Sequence, residues 1–477
     1  MLIISHISRG GLFFFVFMLA FNLSINNSKA QVPYQTPYYV ISEVAIEGNK
    51  RTKPIIILRE MDIEVGDSIW VVEMDSVLLR NRNRIFNTDL FTIVDIIKQI
   101  DSLTNTIAVR VEVQERWYIF PLPIFELSDR NVNEWVYQHG ADLRRTNYGL
   151  RLIKKNIAGL NQSLEILIQQ GFLKRYGLVY TIPYLDYKQR WGLSLGFSYA
   201  QSKSVAYQTL NHRLVFAESD KIVREKTFIK AEVQYRPKFY AFHNLTLRYD
   251  FNKVGDTVLR INPTYFLDND TEQRFHTISY TYRYDLRDVL AYPLEGYWFR
   301  LGIEKRGILD TDQLDILHFT GLWGYYDKLA KRLYYDVTIE ARWSIMDRQP
   351  YANAQGLGYD DTFLRGYELY VIDGQSYCLS KNTLKYKWID TRKTLRFIPL
   401  KQFRTMPIAV YITGFLDLSY VDDRFFTDVS SRFSNQWIYG SGIGLDFVTY
   451  YNSLFSIDCS TNVSGEIGVF FNYSGKF

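Results

Sequence analysis

The residue types that usually carry catalysis are present in this sequence, but never at a working spacing. Six histidines (His6, His139, His212, His243, His276 and His318) are scattered along it. No His-Glu-x-x-His pair offers two imidazoles on one helical face to a metal, no Gly-x-Ser-x-Gly turn exposes a nucleophile, and no Cys-x-x-Cys couples two thiols. The expectation is a protein that is not an enzyme and uses neither metal nor cofactor. Cys378 and Cys459 fall in separate strand-like segments and read as unpaired, with a bridge in an oxidising compartment left open. What remains is charge. A basic cluster of Lys50, Arg51, Lys53 and Arg59 with Arg80, Arg82 and Arg84 has the chemistry to meet lipid head groups or polypeptide, although such residues more often form a solvated helix face. The net charge of +5 is too small and too dispersed to indicate nucleic acid.

The elements that position these groups are mostly strands. Ile229, Ala231, Val233 and Tyr235 alternate with Lys230, Glu232, Gln234 and Arg236, and Leu245, Leu247, Tyr249 and Phe251 alternate with Thr246, Arg248, Asp250 and Asn252. Two further runs, Ile278–Asp285 and Tyr335–Ser344, behave the same way. Successive side chains of a strand point to opposite faces, so each run has one apolar and one polar side. A sheet in water gives that alternation too. Here it recurs from Trp117 to Phe477, in runs that reach the roughly 9–11 residues a tilted strand needs to cross a bilayer. Charges of both signs gather on the polar side, and lipid requires such a sheet to close. Composition agrees: 37 Tyr, 32 Phe and 9 Trp accompany a mean hydropathy of −0.16, which suits aromatic girdles on a barrel. In the last strand Ile467, Val469, Phe471, Tyr473, Gly475 and Phe477 share a face, and a terminal aromatic is common in outer-membrane barrels. Sixteen strands are expected. Eighteen result if Thr209–Phe216 and Thr257–Phe266 also cross.

The ends of the chain fit this picture. Arg9, the apolar run Gly11–Leu23 and Ser28-Lys29-Ala30 read as a signal peptide, residues 1–30, cleaved before Gln31. Residues 39–115 are organised differently. A strand through Val40, Val44 and Ile46 ends at Gly48-Asn49. Thr52 then offers a helix cap, with Lys53-Pro54 in the first turn. Ile55–Met61 forms a short helix, and Asp75 caps a second one carrying Leu78, Leu79, Ile85 and Phe86. Phe91–Ile100 and Thr106–Glu115 are strands. The order β-α-α-β-β predicts one sheet covered by two helices, a small α+β domain ahead of the barrel at 117–477.

At this point the sequence resembles a known family. Ile46-Glu47-Gly48-Asn49-Lys50-Arg51-Thr52 with Gly66-Asp67 resembles a polypeptide-transport-associated (POTRA) domain. Phe363-Leu364-Arg365-Gly366-Tyr367 with Gly374 resembles the Arg-Gly-Tyr/Phe motif of the BamA/TamA superfamily of bacterial surface-antigen barrels. Phe415-Leu416-Asp417, Pro183-Tyr184-Leu185 and Tyr284-Asp285-Leu286-Arg287-Asp288 with Pro293 and Gly296 are similar to its other landmarks. The resemblance implies sixteen strands, with the motif in a long external loop between strands eleven and twelve. It implies that Arg365 folds into the lumen and pairs with Asp417, whose parity with Thr413 and Ser419 also points it inward. The family's glutamate after an asparagine is missing, because Leu384 follows Asn382-Thr383. The resemblance further implies an outer-membrane location with a periplasmic N-terminal domain. Its expected partners are the lipid bilayer, unfolded client polypeptides, and periplasmic chaperones or accessory lipoproteins. Insertion or translocation of polypeptides is the implied function. A dedicated secretion pore, or a barrel that only binds or anchors at the surface, are the alternatives. With one POTRA copy where central assembly proteins carry several, an accessory paralogue is expected.

Overall fold

The computed structural model describes residues 37–127, 135, 140–359, 362–394, 405–425, 432–449 and 453–474. The expected signal peptide, Phe477 and His139 lie outside the described residues.

The N-terminal domain comprises β1 (Tyr38–Glu47), α1 (Pro54–Leu58), β2 (Ser68–Trp70), α2 (Val71–Phe86), β3 (Phe91–Asp101) and β4 (Thr106–Glu115). The strand order is β2-β1-β4-β3, with β1 and β4 parallel and the other neighbours antiparallel. A parallel pair needs a long crossover, and the helices supply it. Their buried residues Ile56, Ile57, Met74, Leu78 and Ile85 pack on Ile41, Val94, Val109 and Val111 of the sheet. Three details differ from the sequence reading. The three-residue β2 is an additional strand, too short to show alternation. Thr52 does not cap α1; that position is Lys53, and the buried Thr52 instead gives its hydroxyl (2.8 Å) and its N–H (2.6 Å) to Glu115. Asp75 lies inside α2, which starts at Val71, and pairs with Lys98 at 2.5 Å. Leu79 accordingly faces solvent.

The barrel begins with β5 (Ile119–Leu127), β6 (Thr146–Ile157), β7 (Gln162–Gly171), β8 (Leu173–Ile182) and β9 (Trp191–Ser202). A hairpin of β10 (Ser204–Leu210) and β11 (Arg213–Glu218) follows, and forms a sheet of its own. The wall resumes with β12 (Arg224–Tyr235) and β13 (Ala241–Val254), then α3 (Asp256–Ile261) in a loop, then β14 (Glu272–Asp285), β15 (Gly296–Arg306) and β16 (Ile316–Ala330). It ends with β17 (Leu333–Ile345), β18 (Ser376–Thr394), β19 (Thr405–Asp422), β20 (Trp437–Val448), β21 (Leu454–Asn462) and β22 (Ile467–Ser474). These sixteen strands make one antiparallel sheet, and both segments that would have raised the count to eighteen are loop structures at its far mouth. There Val205, Ala217, Val258, Tyr265, Phe266 and Tyr351 form an apolar cluster of their own.

Alternation places apolar groups outward and polar groups inward, the inverse of a water-soluble barrel. Ile229, Leu245, Leu247, Leu416 and Ile443 are exposed on the outside, whereas Asp250, Thr277, Asp285, Asp336, Asp417 and Asp446 are buried within. No helix among the described residues is long and apolar enough to cross a membrane; strands with an apolar outer belt do the crossing. Each wall strand is hydrogen-bonded to its sequence neighbours in the sheet. Among the described residues, no ladder joins the two ends, β5 and β22.

Cutting the fully buried Ile57 to Ala should destabilise the N-terminal domain by about 2–5 kcal/mol without touching the wall. Hydrogen exchange checks this: residues 38–115 should lose protection while the barrel strands keep theirs.

Candidate functional site

Arg365 lies in the loop of residues 346–375, between the eleventh and twelfth wall strands β17 and β18. The loop turns back into the lumen and lays the guanidinium against the inner wall. Nε donates to Asp417 Oδ2 at 2.7 Å and Nη2 to Oδ1 at 2.6 Å, a bidentate fork. Nη2 also donates to Thr383 Oγ1 at 3.1 Å, and the guanidinium carbon stands 3.9 Å from the Phe415 ring centroid. Asp417 is 0 % exposed, with Ile412 and Leu416 of the same strand facing out. On the neighbouring strand the wall offers the arginine the buried hydroxyl of Thr383, while Leu384, where the resemblance led to an expected acid, faces outward. Further acids stand nearby: Asp336 and Asp458 lie within electrostatic range of Arg365, and Lys385 balances Asp336 at 2.9 Å.

The other two motif residues explain why the loop fits. Gly366 has φ +88°, and a Cβ there would press on the Thr461 carbonyl oxygen at 2.8 Å. Tyr367 is fully buried; its hydroxyl donates to the Tyr439 carbonyl (3.1 Å) and accepts from the Val463 N–H (3.1 Å). Opposite them, Gly440, Gly442 and Gly444 lie on the lumen face of β20, and a Cβ on Gly440 would overlap the Arg365 carbonyl oxygen. The loop takes the place of wall side chains. Sequence reasoning missed this floor, although three glycines at period two within a strand signal a close backbone approach.

Above the motif the far mouth is lidded. Leu357, Leu364, Tyr367, Tyr370, Ile372 and Phe433 form a buried cluster. His212, from the β10–β11 hairpin, stacks on Phe433 with centroids 4.5 Å apart and accepts its N–H at 3.0 Å. This histidine is a structural clasp. Glu368, also in the loop, accepts the Gly366 N–H with one oxygen (2.9 Å), while its other oxygen has no hydrogen-bond partner. Burial pushes its carboxyl up to about 7.

At the near rim the N-terminal domain is docked on four turns of the wall. Arg236 forms a bidentate pair with Glu60 at 2.5 and 2.7 Å, both side chains nearly buried. Arg84 donates to the Glu60 carbonyl (2.8 Å), to Asp62 (3.0 Å) and to the Tyr240 hydroxyl (3.1 Å), with its guanidinium 4.0 Å from the Phe239 centroid. Arg59 donates to the Gln189 carbonyl (3.2 Å). Asn87 bridges Asp288 and Leu290 at 3.2 Å each. Lys53 donates its N–H to the Gly159 carbonyl (3.0 Å), and Asn156 donates to the Thr52 hydroxyl (2.8 Å). The basic cluster is therefore divided: Lys50, Arg51, Lys53 and Arg80 remain exposed, while Arg59 and Arg84 join the domain to the barrel and Arg82 donates to the Val94 carbonyl. One-dimensional pattern cannot reveal this, because Arg236 is 176 residues from Glu60. Phe471 and Tyr473 face outward on β22, at 77 % and 53 % exposure. Cys378 and Cys459 are free.

Arg365→Ala strands a buried carboxylate, which costs about 3–5 kcal/mol, so the loop should become accessible to protease added at the far mouth. Gly440→Val should do the same while leaving both ion-pair partners in place. The Glu368 carboxyl is raised above its ordinary value of about 4.3, so the docked loop holds that proton more tightly than a released one. Docking therefore weakens as pH rises from about 4.5 to about 7, and protease cleavage should increase over that window in the parent protein but stay flat in Glu368→Gln.

Residues 39–116 match the family model of the POTRA domain, described as a surface antigen variable number repeat. No curated protein matches the chain. Among solved structures it is similar to BamA from Haemophilus ducreyi lacking POTRA domains 1–3, at 13 % identity and TM-score 0.52, over 91 % of this chain and 84 % of that one. It is also similar to CdiB from Escherichia coli, at 9 % identity and TM-score 0.51, over 94 % and 92 % of the two chains. At these identities the likeness is one of fold. Residues 39–116 match the POTRA domain, and the chain as a whole shares the fold of these two proteins, a sixteen-stranded barrel behind that domain.

Proposed function

We propose that this protein lies in the bacterial outer membrane, with its POTRA domain in the periplasm, and inserts polypeptides into that membrane. The observation that carries the reading is the unjoined pair of end strands: β5 and β22 lie at the two ends of the sheet, with no ladder between them among the described residues. Unpaired backbone in hydrocarbon is costly, and an edge strand is a template for another strand. A client strand that pairs there gains hydrogen bonds that neither water nor lipid provides. The driving force is the client's own folding, and the process involves no enzymatic step. Periplasmic chaperones or accessory lipoproteins would deliver clients to the POTRA domain, whose sheet edge at β2 or β3 suits β-augmentation.

A second reading, a secretion pore, is favoured by one feature. The lumen is occupied by a loop held against the inner wall by the Arg365–Asp417 pair and a set of hydrogen bonds, so that its withdrawal would clear a path. The two readings separate in quantitative outer-membrane proteomics after depletion of the protein, complemented with the parent or with Arg365→Ala. The expected outcome is a broad loss of other barrels that the parent restores and the variant does not. Loss of one or two surface proteins would replace this reading with dedicated secretion, and an unchanged profile would defeat both.

A further inference from the structure

The two end strands are not equivalent. Which backbone groups face the seam follows from the pairing of each end strand with its inner neighbour, because in an antiparallel ladder the residues alternate between pointing toward that neighbour and away from it. Lys155 of β6 donates to the Tyr118 carbonyl, and the register pairs Ile119 with Lys154 and Phe120 with Ile153. Phe120, Leu122 and Ile124 therefore direct their backbone groups to β6. Ile119, Pro121, Pro123 and Phe125 direct theirs to the seam. On the other side Asn462 donates to the Glu466 carbonyl, and Ser460 pairs with Gly468. Gly468, Phe470 and Asn472 thus face β21, while Ile467, Val469, Phe471 and Tyr473 face the seam.

The consequence is an imbalance of donors. Proline has no N–H, and a sheet tolerates it where the missing donor points away from a neighbour. Both prolines of β5 sit at seam-facing positions, so two of those four residues carry a ring carbon where a hydrogen-bond donor would stand. All four on β22 keep their donors. If β5 closed on β22, the β22 carbonyls opposite the prolines would stay unpaired in lipid. A proline-free strand laid on the same edge would satisfy them. The side chains define what that strand must be: β22 is apolar and exposed outward at Ile467, Val469, Phe471 and Tyr473, while its half-buried lumen face carries Gly468, Phe470 and Asn472. Its partner needs the same alternation, which a strand of another membrane barrel has.

We propose that the seam edge of β22, and not that of β5, receives the extended strand of a client barrel, and that Pro121 and Pro123 keep β5 from sealing that edge. This rests on the insertion reading above.

The test uses the full-length protein in proteoliposomes, carrying a photo-cross-linking phenylalanine analogue at Val469 or Phe471 on β22, or at Ile119 or Phe125 on β5. All four side chains face outward, and heat-modifiable gel mobility confirms that each variant is folded. The probe is a urea-unfolded small outer-membrane barrel polypeptide, diluted into the vesicles. Client adducts should form from the β22 positions in several-fold excess over the β5 positions. In the Pro121→Val/Pro123→Val background, which restores both donors, client adducts from Val469 should fall several-fold while internal β5–β22 adducts rise. Adducts that come mainly or equally from β5, or a valine variant that changes neither yield, would overturn the edge assignment and leave insertion standing. No client adduct from any seam position would defeat the insertion reading and this proposal together.

Discussion

Hydrocarbon offers no hydrogen bonds, and most of this molecule follows from that. A strand crossing a bilayer must place its N–H and C=O groups on neighbouring strands, so the sheet grows until it can curl on itself. The same constraint sets the side-chain pattern, because the surface left outside must be apolar and the polar residues have only the lumen to occupy. It also makes the two end strands special. Every other wall strand has a partner on each side; β5 and β22 have one apiece among the described residues. Prolines, which are excluded from the middle of a sheet, find their place at such an edge, and both prolines of β5 are there.

Turning polar residues inward creates a second problem. The lumen collects charges that are removed from bulk water, and these must be balanced locally. The pair of Arg365 with Asp417 and that of Lys385 with Asp336 do so on the wall formed by β17, β18 and β19. The near rim repeats the principle between domains, where Glu60 and Arg236 are each nearly buried because the other is present. In both places the paired guanidinium also lies over an aromatic ring, Arg365 over Phe415 in the lumen and Arg236 over Phe242 at the rim. The arginine is the residue of choice because its planar fork can satisfy a carboxylate and a ring face together.

Much of this was legible in the sequence, for definite reasons. Period-two alternation is a local property, and it located the wall strands and the inward direction of Asp417. The resemblance of Arg365-Gly366-Tyr367 to a family motif placed the arginine in its loop, and the structure brings it to the carboxylate. What escaped were features that exist only in three dimensions. Arg84 reads as one more charge on a helix until Tyr240 and Phe239 arrive beside it. The glycines of β20 read as weak strand formers until the loop occupies the space they leave. Helix starts misled as well. Thr52 is a good cap by type, but Glu115 claims both its hydroxyl and its N–H. The segment Thr257–Phe266 was ambiguous because an apolar loop that packs on its neighbours resembles a strand in composition.

The loop that carries Arg365 obstructs the lumen, and it is also a counter-ion. Asp417, Asp446 and Asp458 line the inner face of β19, β20 and β21, where the glycines leave the wall bare. The loop arginine supplies positive charge to that strip. Plug and charge balance are thus one object: drawing the loop out both widens the lumen and turns its C-terminal wall toward net negative potential, so that the bore and its preference for cations would change in a single movement.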